Sequence, residues 1–186
     1  MNPYSKKTVS GFTLVELLIV VIILAILAAI VVPQFASSTN DAKVSALDST
    51  LANMRAAIDL YYQQHGDYPA AKTAVATNCP AGATPGSGTG GDEATFLEQL
   101  AWYTDSDGKA CSIKDATYKY GPYIKKKVVP DNPVTGKNAL AFAATPGNLN
   151  MAADGQNLGW KYDTKTGKFI ANDTNLDPNN DPYSSH

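Results

Sequence analysis

The sequence predicts an α+β fold, in which a long N-terminal helix packs on a small antiparallel β-sheet domain. Two observations predict it. The 186-residue chain gathers its densest apolar run near the N-terminus, and an amphipathic helical repeat follows. The remainder is rich in Gly, Pro, Asn, Asp and Thr, with short strand candidates near its end. At this length the chain has room for one domain and little more.

The first half of the long helix, residues 12–33, has the length of a membrane span. A helix from Phe12 to Val32 is about 31 Å long at 1.5 Å per residue. The hydrocarbon core of a bilayer is about 30 Å thick. Lys6 and Lys7 precede the run, which predicts a cytoplasmic N-terminus.

Glu16 is the unusual residue of this span. A charge well inside a bilayer costs about 2.5–3.5 kcal/mol on insertion scales, so such a residue usually has a partner. A secretory signal peptide is one alternative, although its apolar core is usually about 7–15 residues and ends at a small-residue cleavage site. A plain single-pass anchor is a second alternative, and it leaves Glu16 without a role.

The residues around Glu16 carry a family resemblance. The segment Ser10-Gly-Phe-Thr-Leu-Val-Glu-Leu17 resembles the cleavage signal of type IV pilins and type II secretion pseudopilins. The resemblance implies that residues 1–11 are a leader, which a prepilin peptidase removes by cutting after Gly11 on the cytoplasmic side. It also implies that Phe12 becomes the N-methylated first residue and that Glu16 is the family's glutamate at the fifth mature position.

This resemblance suggests a role for the carboxylate of Glu16. In a filament whose core is packed N-terminal helices, a carboxylate is stabilised if it meets a positive charge. We expect that charge to be the N-terminal amine of Phe12 on a neighbouring subunit. Removing one partner of such a buried pair costs about 3–5 kcal/mol. The pair would also set the axial register between subunits.

The second half of the long helix, residues 34–65, is amphipathic. Its apolar residues recur every three or four positions and are Val44, Leu47, Leu51, Met54, Ile58 and Tyr61. We expect this stripe to pack on the C-terminal domain of the same chain. Gly66 and Pro69 predict the helix end. Pro33 matches the family's helix-kinking proline and removes a backbone hydrogen bond, so we expect a kink or local melting there.

Residues 66–186 are predicted to form the globular domain. Residues 70–92 read as an irregular surface loop, and Glu93–Tyr103 as a short helix. The strand candidates are Ala139–Ala144, Leu158–Asp163 and Lys168–Asn172, the last two joined by a hairpin turn at Thr164–Gly167. We expect these strands to form an antiparallel sheet on the long helix.

The C-terminal part extends the resemblance towards the major pseudopilin of type II secretion. The segments that carry it are Tyr120–Lys126, Pro130–Gly136, Gly159–Tyr162 and Thr166–Gly167. That family reads Gly-Pro-Tyr-Leu-Lys, then a Pro-x-x-Pro turn, then a Trp-x-Tyr hairpin. This chain departs from the family by its cysteine pair. It also has only a short loop where the family has an acidic calcium-binding loop.

The two cysteines, Cys79 and Cys111, both follow the apolar span. With the lysines inside, both lie in the compartment beyond the membrane. An oxidising compartment favours a disulfide, and two free buried thiols are the alternative. A bridge would close a loop of about 30 residues and stabilise the fold by some 3–4 kcal/mol in the chain-entropy model.

The tail contains carboxylates that are candidate calcium ligands. Asp173, Asp177 and Asp181 could supply the hard oxygens that Ca²⁺ prefers. Their alternate spacing is similar to part of a calcium loop, but the glycine and the closing glutamate are missing. A solvated, frayed tail is nevertheless the default expectation. No other cofactor is expected.

Charge and composition disfavour nucleic-acid binding and catalysis. The formal net charge is −2, and loss of the basic leader would make the chain more acidic, which disfavours a nucleic-acid surface. His65 and His186 form no recognisable catalytic or metal pattern, so we expect no enzyme. The lysines at 125–127 are expected to be a solvated edge or to contact acidic neighbours.

With the resemblance, the sequence implies a structural subunit of a type II secretion pseudopilus. The implied partners are further copies in a helical filament, minor pseudopilins or pilins, the prepilin peptidase and an inner-membrane assembly platform. The implied location is the bacterial inner membrane, with a single pass and a periplasmic C-terminal domain, and then a periplasmic filament. A surface type IV pilin for adhesion or motility is the alternative within the class. A membrane-anchored periplasmic enzyme or binding domain is the alternative from another class.

Overall fold

The computed structural model describes residues 11–155 and 158–186, and it divides into two compact units after Asn40. Helix α1 comprises Leu14–His65. The second unit also contains helix α2, five short strands and a final 3₁₀ turn, which are Glu93–Ala101 (α2), Tyr103–Thr104 (β1), Ala110–Cys111 (β2), Leu140–Phe142 (β3), Trp160–Tyr162 (β4), Phe169–Ala171 (β5) and Tyr183–Ser185. The predicted α+β class is confirmed. The predicted bounds at residues 33 and 65 stay predictions.

The hydrophobic core of the second unit is built on the apolar stripe of α1. The stripe residues Leu47, Leu51, Met54, Ile58 and Tyr61 are at most 3% exposed, so the predicted packing is confirmed. Their partners are mainly aromatic side chains of α2 and the strands, namely Phe96, Leu100, Trp160, Tyr162 and Phe169. These large side chains gain most from leaving water, which is why they gather on the helix.

Helix α2 begins at Glu93 because Asp92 caps it. The Asp92 carboxylate accepts a hydrogen bond from the Thr95 N–H at 2.7 Å, which satisfies one free donor of the first turn. The helix ends at Ala101, before the predicted end at Tyr103, and Trp102 has an extended backbone. Strand pairing takes over there, because Tyr103–Thr104 pairs with Ala110–Cys111.

The three-stranded sheet is mixed, which corrects the prediction of a wholly antiparallel one. Strand β4 pairs antiparallel with β5, as the hairpin predicts. Strand β3 pairs parallel with β4, with Leu140 opposite Trp160. The chain between β3 and β4 is a long connection rather than a tight turn, so it can return to the starting edge and bring the strands together in parallel.

The β4–β5 turn lies at the predicted position, and Asp163 organises it. The Asp163 carboxylate accepts hydrogen bonds from the N–H groups of Lys165 at 2.7 Å and Thr166 at 3.0 Å. Gly167 closes the turn with a φ of 71° and donates its N–H to the Asp163 carbonyl at 2.9 Å. A positive φ is cheap only for glycine, so the turn requires this residue.

The tail is held against α1, which corrects the expectation of a frayed end. The Arg55 guanidinium donates to the Phe169 carbonyl at 3.1 Å from Nε and 2.9 Å from Nη2, and Nη2 also donates to the His186 carbonyl at 2.7 Å. The His186 ring adds a contact of 2.9 Å to Asp48. Arg55 therefore joins α1, β5 and the tail, because its planar fork can satisfy several acceptors at once.

Candidate assembly segment

The start of α1 is a reciprocal cap between Thr13 and Glu16. The Glu16 Oε2 atom accepts hydrogen bonds from the Thr13 N–H at 2.9 Å and from the Thr13 hydroxyl at 2.7 Å. The Glu16 N–H donates to Thr13 Oγ1 at 3.2 Å. This arrangement is a capping box, in which two residues satisfy backbone donors of the first turn. Oε1 of the same carboxylate accepts no hydrogen bond from the described residues.

The capping role of Glu16 was missed at the sequence level, although its signal was present. Thr13-Leu14-Val15-Glu16 has the spacing of Ser/Thr, two residues, then Asp/Glu before an apolar run, which is typical of a capping box. Glu16 therefore has a local function besides the predicted contact with a neighbour. One carboxylate oxygen serves the cap, and the other is available to a further donor.

The segment Leu14–Val32 of α1 is long and apolar enough to cross a membrane. Its 19 residues have a mean hydropathy of 3.4, and none is buried within the structure. Large side chains in it are exposed, from 40% at Val31 to 83% at Leu14. A helix that is apolar on all sides needs a cover of lipid or of other helices. The segment is therefore suited to membrane anchoring and to helix packing.

The predicted cleavage bond between Gly11 and Phe12 lies just before the helix. Both residues are outside α1, and both are exposed, Phe12 by 79%. No atom lies within 4 Å of a Cβ built on Gly11. Cleavage after Gly11 and methylation of Phe12 stay predictions, and Lys6 and Lys7 lie outside the described residues.

Helix α1 continues through the positions where an interruption was predicted. Residues 33–40 are helical, so the predicted local melting is not observed. The Thr39 hydroxyl donates to the Phe35 carbonyl within this stretch, which gives that carbonyl a local partner. The kink at Pro33 stays a prediction.

Cys79 and Cys111 form a disulfide, with their Cα atoms 5.8 Å apart. Cys111 is in β2 and belongs to a small second core with Ala76 and Tyr118. The two cysteines are 32 positions apart in the sequence. The bridge therefore links the loop of residues 70–92 covalently to β2, on the other side of α2. The alternative of two free thiols is excluded by this bond.

Two of the three tail carboxylates predicted as calcium ligands, those of Asp173 and Asp177, accept hydrogen bonds within the tail, whereas Asp181 takes part through its backbone N–H. Asp173 accepts from the backbone and side-chain amides of Asn175 at 2.9 and 2.7 Å. Asp177 accepts from the N–H groups of Asn179 and Asp181, each at 2.8 Å. Within residues 11–155 and 158–186, no three His, Cys, Asp or Glu side chains form a group that could hold a metal. Calcium binding stays a prediction without a ligand group in its support.

His65 serves the packing at the end of α1. Its Nδ1 lies 2.9 Å from the Tyr61 carbonyl and its Nε2 lies 2.9 Å from the Thr104 hydroxyl. Its ring stacks on Tyr61 with centroids 4.0 Å apart. Burial lowers the pKa of His65 despite the hydrogen bond from its ring to the Tyr61 carbonyl. Both ring nitrogens thus have partners, and the Nε2 contact with Thr104 ties α1 to β1.

The lysine segment 125–127 divides between two environments. Lys127 Nζ lies 3.0 Å from Glu98 Oε1 and 3.9 Å from the centroid of the Trp102 ring. Lys125 and Lys126 are exposed. The expected contact with an acidic neighbour is thus present for Lys127.

Comparison with known proteins finds one family model and several bacterial relatives. Residues 6–32 match the model for the prokaryotic N-terminal methylation motif. The chain is 44% identical over 64 residues to the type II secretion system core protein G of Pseudomonas aeruginosa, which is 34% of this chain and 45% of that protein. No solved structure matches.

Pilins of other bacteria are similar over comparable lengths. A fimbrial protein of Neisseria meningitidis is 39% identical over 75 residues, which is 40% of this chain and 42% of that protein. The type IV narrow pilus major component PilA5 of Thermus thermophilus is 40% identical over 77 residues, 41% of this chain and 66% of that protein. The match to the first two relatives thus spans less than half of each.

The motif, the exposed apolar helix and these relatives lead to the same assignment. The methylation motif covers the capped start of α1 and the whole of its apolar segment Leu14–Val32. The relatives are subunits named for secretion systems and pili. The chain carries the N-terminal methylation motif and is similar over part of its length to type IV pilins and to a type II secretion core protein.

Proposed function

We propose that this chain is a structural subunit of a type II secretion pseudopilus. The observation that carries the proposal is the wholly exposed apolar segment Leu14–Val32, which starts at the Thr13–Glu16 cap directly after an exposed Gly11–Phe12 bond. Similarity to a type II secretion core protein supports the secretion assignment. The subunit acts by assembly, and no step of bond chemistry is assigned to it.

The proposed sequence of events begins in the inner membrane. The segment Leu14–Val32 holds the chain there, with the globular unit on the periplasmic side. A prepilin peptidase cuts after Gly11 and methylates Phe12. The subunit then leaves the bilayer at an inner-membrane assembly platform and joins further copies and minor pseudopilins in a filament. Contacts with neighbouring helices replace the lipid around the apolar side chains.

Glu16 is proposed to pair with the Phe12 ammonium of a neighbouring subunit through Oε1. The cap occupies Oε2 and holds the carboxylate in place, which leaves Oε1 for a donor from a neighbouring subunit. In the filament core the pair is removed from water, where a lone carboxylate would be costly. The contact can therefore form only at one axial offset between subunits.

Three variants separate this role from the local cap. Glu16→Gln keeps an acceptor for Thr13 but loses the charge, and we expect it to abolish assembly. Thr13→Val loses the hydroxyl of the cap but keeps the carboxylate, and we expect assembly with a cost of about 1 kcal/mol in helix stability. Glu16→Ala loses both and should behave like Glu16→Gln. Assembly is measured as filament recovered by shearing and seen by electron microscopy.

Mass spectrometry of the mature chain tests the cleavage. We expect an N-terminal N-methylated Phe12, both for the unaltered chain and for Glu16→Gln and Thr13→Val. An uncut chain, or a cut beyond Val32, would contradict the filament proposal. Normal assembly of Glu16→Gln together with failure of Thr13→Val would show that Glu16 acts only as a cap.

A surface type IV pilin is the second candidate, and the pilin relatives of Neisseria and Thermus favour it. Deletion of the gene distinguishes the two. Loss of secreted proteins with normal surface fibres supports the pseudopilin, and loss of fibres with intact secretion supports the pilin. A membrane-anchored periplasmic enzyme or binding domain predicts neither loss.

A further inference from the structure

An open groove of about 880 Å³ lies beside α1 in the second unit. Asn53 and Met54 form its α1 side, and the segment from Tyr123 to Asp131 forms the other. Lys125 and Lys126 line it and form no ion pair with any described carboxylate. The groove contains two lysines and one carboxylate, that of Asp131, so its charge is positive.

The exposed edge of α1 on its other side carries three carboxylates and the half-buried Arg55, so its formal charge is −2. Asp41, Asp48 and Asp59 lie within about 20° of one line along a helix of 3.6 residues per turn, over about 27 Å. All three are exposed. Asp48 contacts His186 at 2.9 Å, whereas Asp41 and Asp59 form no ion pair with the described residues.

The groove and the acidic edge lie on opposite flanks of the same helix. The core face of α1, from Leu47 to Tyr61, is about 110° from the acidic line, and Asn53 in the groove is about 120° from the core face on the other side, at 100° per residue. Surfaces of opposite charge on opposite flanks cannot satisfy each other within one chain. They can do so between two copies arranged head to tail, an arrangement that propagates into an open filament when its rotation does not close a ring.

We propose that the lysine groove of one copy docks the acidic edge of α1 of the next copy in the filament. The occupant is therefore a second copy of this chain, and its recognition is by charge, Lys125 and Lys126 with Asp41 and Asp59. This inference rests on the proposed filament function and adds to it a contact between globular units. Val128, 43% exposed beside the lysines, supplies apolar area at the same contact.

The contact sets orientation and specificity more than total affinity. Charge complementarity mainly steers association and rejects wrong partners. Exposed charges are screened beyond about 8 Å at physiological ionic strength. We therefore expect the contact to weaken with salt, while the packing of the apolar helices does not.

Charge reversal and charge exchange test the contact in the full-length chain, in cells with the native assembly machinery. Lys125→Glu/Lys126→Glu should reduce recovered filament at least about tenfold, because like charges across an interface disfavour association. Asp41→Lys/Asp59→Lys should do the same. The chain with all four changes should regain most of the filament. The matched control Lys114→Glu/Lys165→Glu makes the same charge change at exposed lysines outside the groove and should assemble normally.

Cysteine cross-linking gives a second readout that does not depend on filament yield. The variant Asp59→Cys/Lys126→Cys should form a ladder of multimers on oxidation, because each copy contributes one end to each neighbour. Either single variant should form no ladder. Dimers from Lys126→Cys alone would overturn the proposal in favour of a two-fold contact.

The outcomes separate this inference from the proposed function. Normal filaments from the two reversal variants, or no recovery on charge exchange with the control intact, would overturn the docking contact and leave the filament function standing. A failure of the unaltered chain to assemble contradicts the filament function and the contact with it. Disulfide formation between Cys79 and Cys111 in every variant verifies that the globular unit is folded.

Discussion

The Glu98 side chain of α2 accepts hydrogen bonds from three other residues, Ser87, Gly88 and Lys127. Its Oε2 accepts hydrogen bonds from the N–H groups of Ser87 at 2.8 Å and Gly88 at 2.9 Å, and its Oε1 from Lys127 at 3.0 Å. Burial raises the pKa of its carboxyl, but these hydrogen bonds outweigh burial and hold the pKa below its ordinary value. Glu98 thereby fastens the glycine-rich loop, which the sequence suggests to be an irregular surface segment.

We expect Glu98→Gln to lower the free energy of unfolding by about 2–3 kcal/mol near neutral pH, because a buried donor loses its acceptor. The folded pKa lies below the unfolded one, so this stabilisation is present above the unfolded value near 4.5 and is lost as pH falls through the folded pKa. The difference between wild type and variant should therefore shrink in acid. Urea unfolding across this pH range, followed by tryptophan fluorescence, measures it.

Glu93→Gln is the matched control at the residue scale. It makes the same chemical change in the same helix, at the first turn, where a carboxylate contributes about 1 kcal/mol or less through the helix dipole. A loss as large as that of Glu98→Gln, or a Glu98 effect that does not change in acid, would contradict the role of the network.

At the element scale, the β4–β5 hairpin depends on the absence of a side chain at Gly167. Its φ is 71°, and a Cβ there would lie 2.2 Å from the nearest ring atom of Tyr68. The Tyr68 ring stacks on Tyr62 of α1, with centroids 4.4 Å apart. The turn thus packs on the end of α1 through one aromatic pair, and the close approach explains why a larger residue does not fit.

Gly167→Ala should destabilise the fold by about 2–4 kcal/mol, the sum of left-handed strain and overpacking. Gly136→Ala is its control, since Gly136 has a φ of 68° with no atom within 4 Å of an added Cβ. It should cost only the backbone term, about 1–2 kcal/mol. Chemical unfolding of both variants gives the comparison, and equal losses would show that the Tyr68 contact carries no energy.

At the scale of the whole molecule, the insertion free energy of the apolar segment is favourable enough to offset the cost of a single charge. Leu14–Val32 contains fifteen Leu, Ile and Val residues, each worth roughly −0.3 to −0.6 kcal/mol at the centre of a span. Their sum is roughly −5 to −9 kcal/mol, which exceeds the cost of one arginine, about 2.5–3.5 kcal/mol. The same favourable insertion free energy of the apolar residues offsets the cost of the Glu16 carboxylate.

We therefore expect Ile23→Arg to remain in the membrane fraction but to be excluded from filaments, because the filament core offers the arginine no partner. The triple variant Ile19→Arg/Ile23→Arg/Ile26→Arg should leave the membrane fraction, since three arginines together cost about 8–10 kcal/mol. Carbonate extraction and filament shearing measure the two effects. The same three positions changed to Leu are the control, and release of Ile23→Arg would contradict the balance of energies.

The pattern of the sequence alone determined the helix, its apolar segment, the core stripe on α1 and the hairpin turn. Each depends on neighbours a few residues away, as the spacing from Leu47 to Tyr61 or the glycine at 167 illustrates. The family resemblance also followed from local residues, because Gly11, Phe12 and Glu16 lie within one short motif.

Only the tertiary structure decided the contacts between distant segments. Three such contacts join residues 20 or more positions apart. They are the parallel pairing of β3 with β4, the hydrogen bonds from Arg55 to the Phe169 and His186 carbonyls, and the ion pair of Glu98 with Lys127. Buried polar groups need hydrogen-bond partners, and only the complete tertiary fold determines which partner each group meets. The periodicity of the sequence carries no signal for that pairing. The placement of the lysine groove opposite the acidic edge of α1 has the same origin.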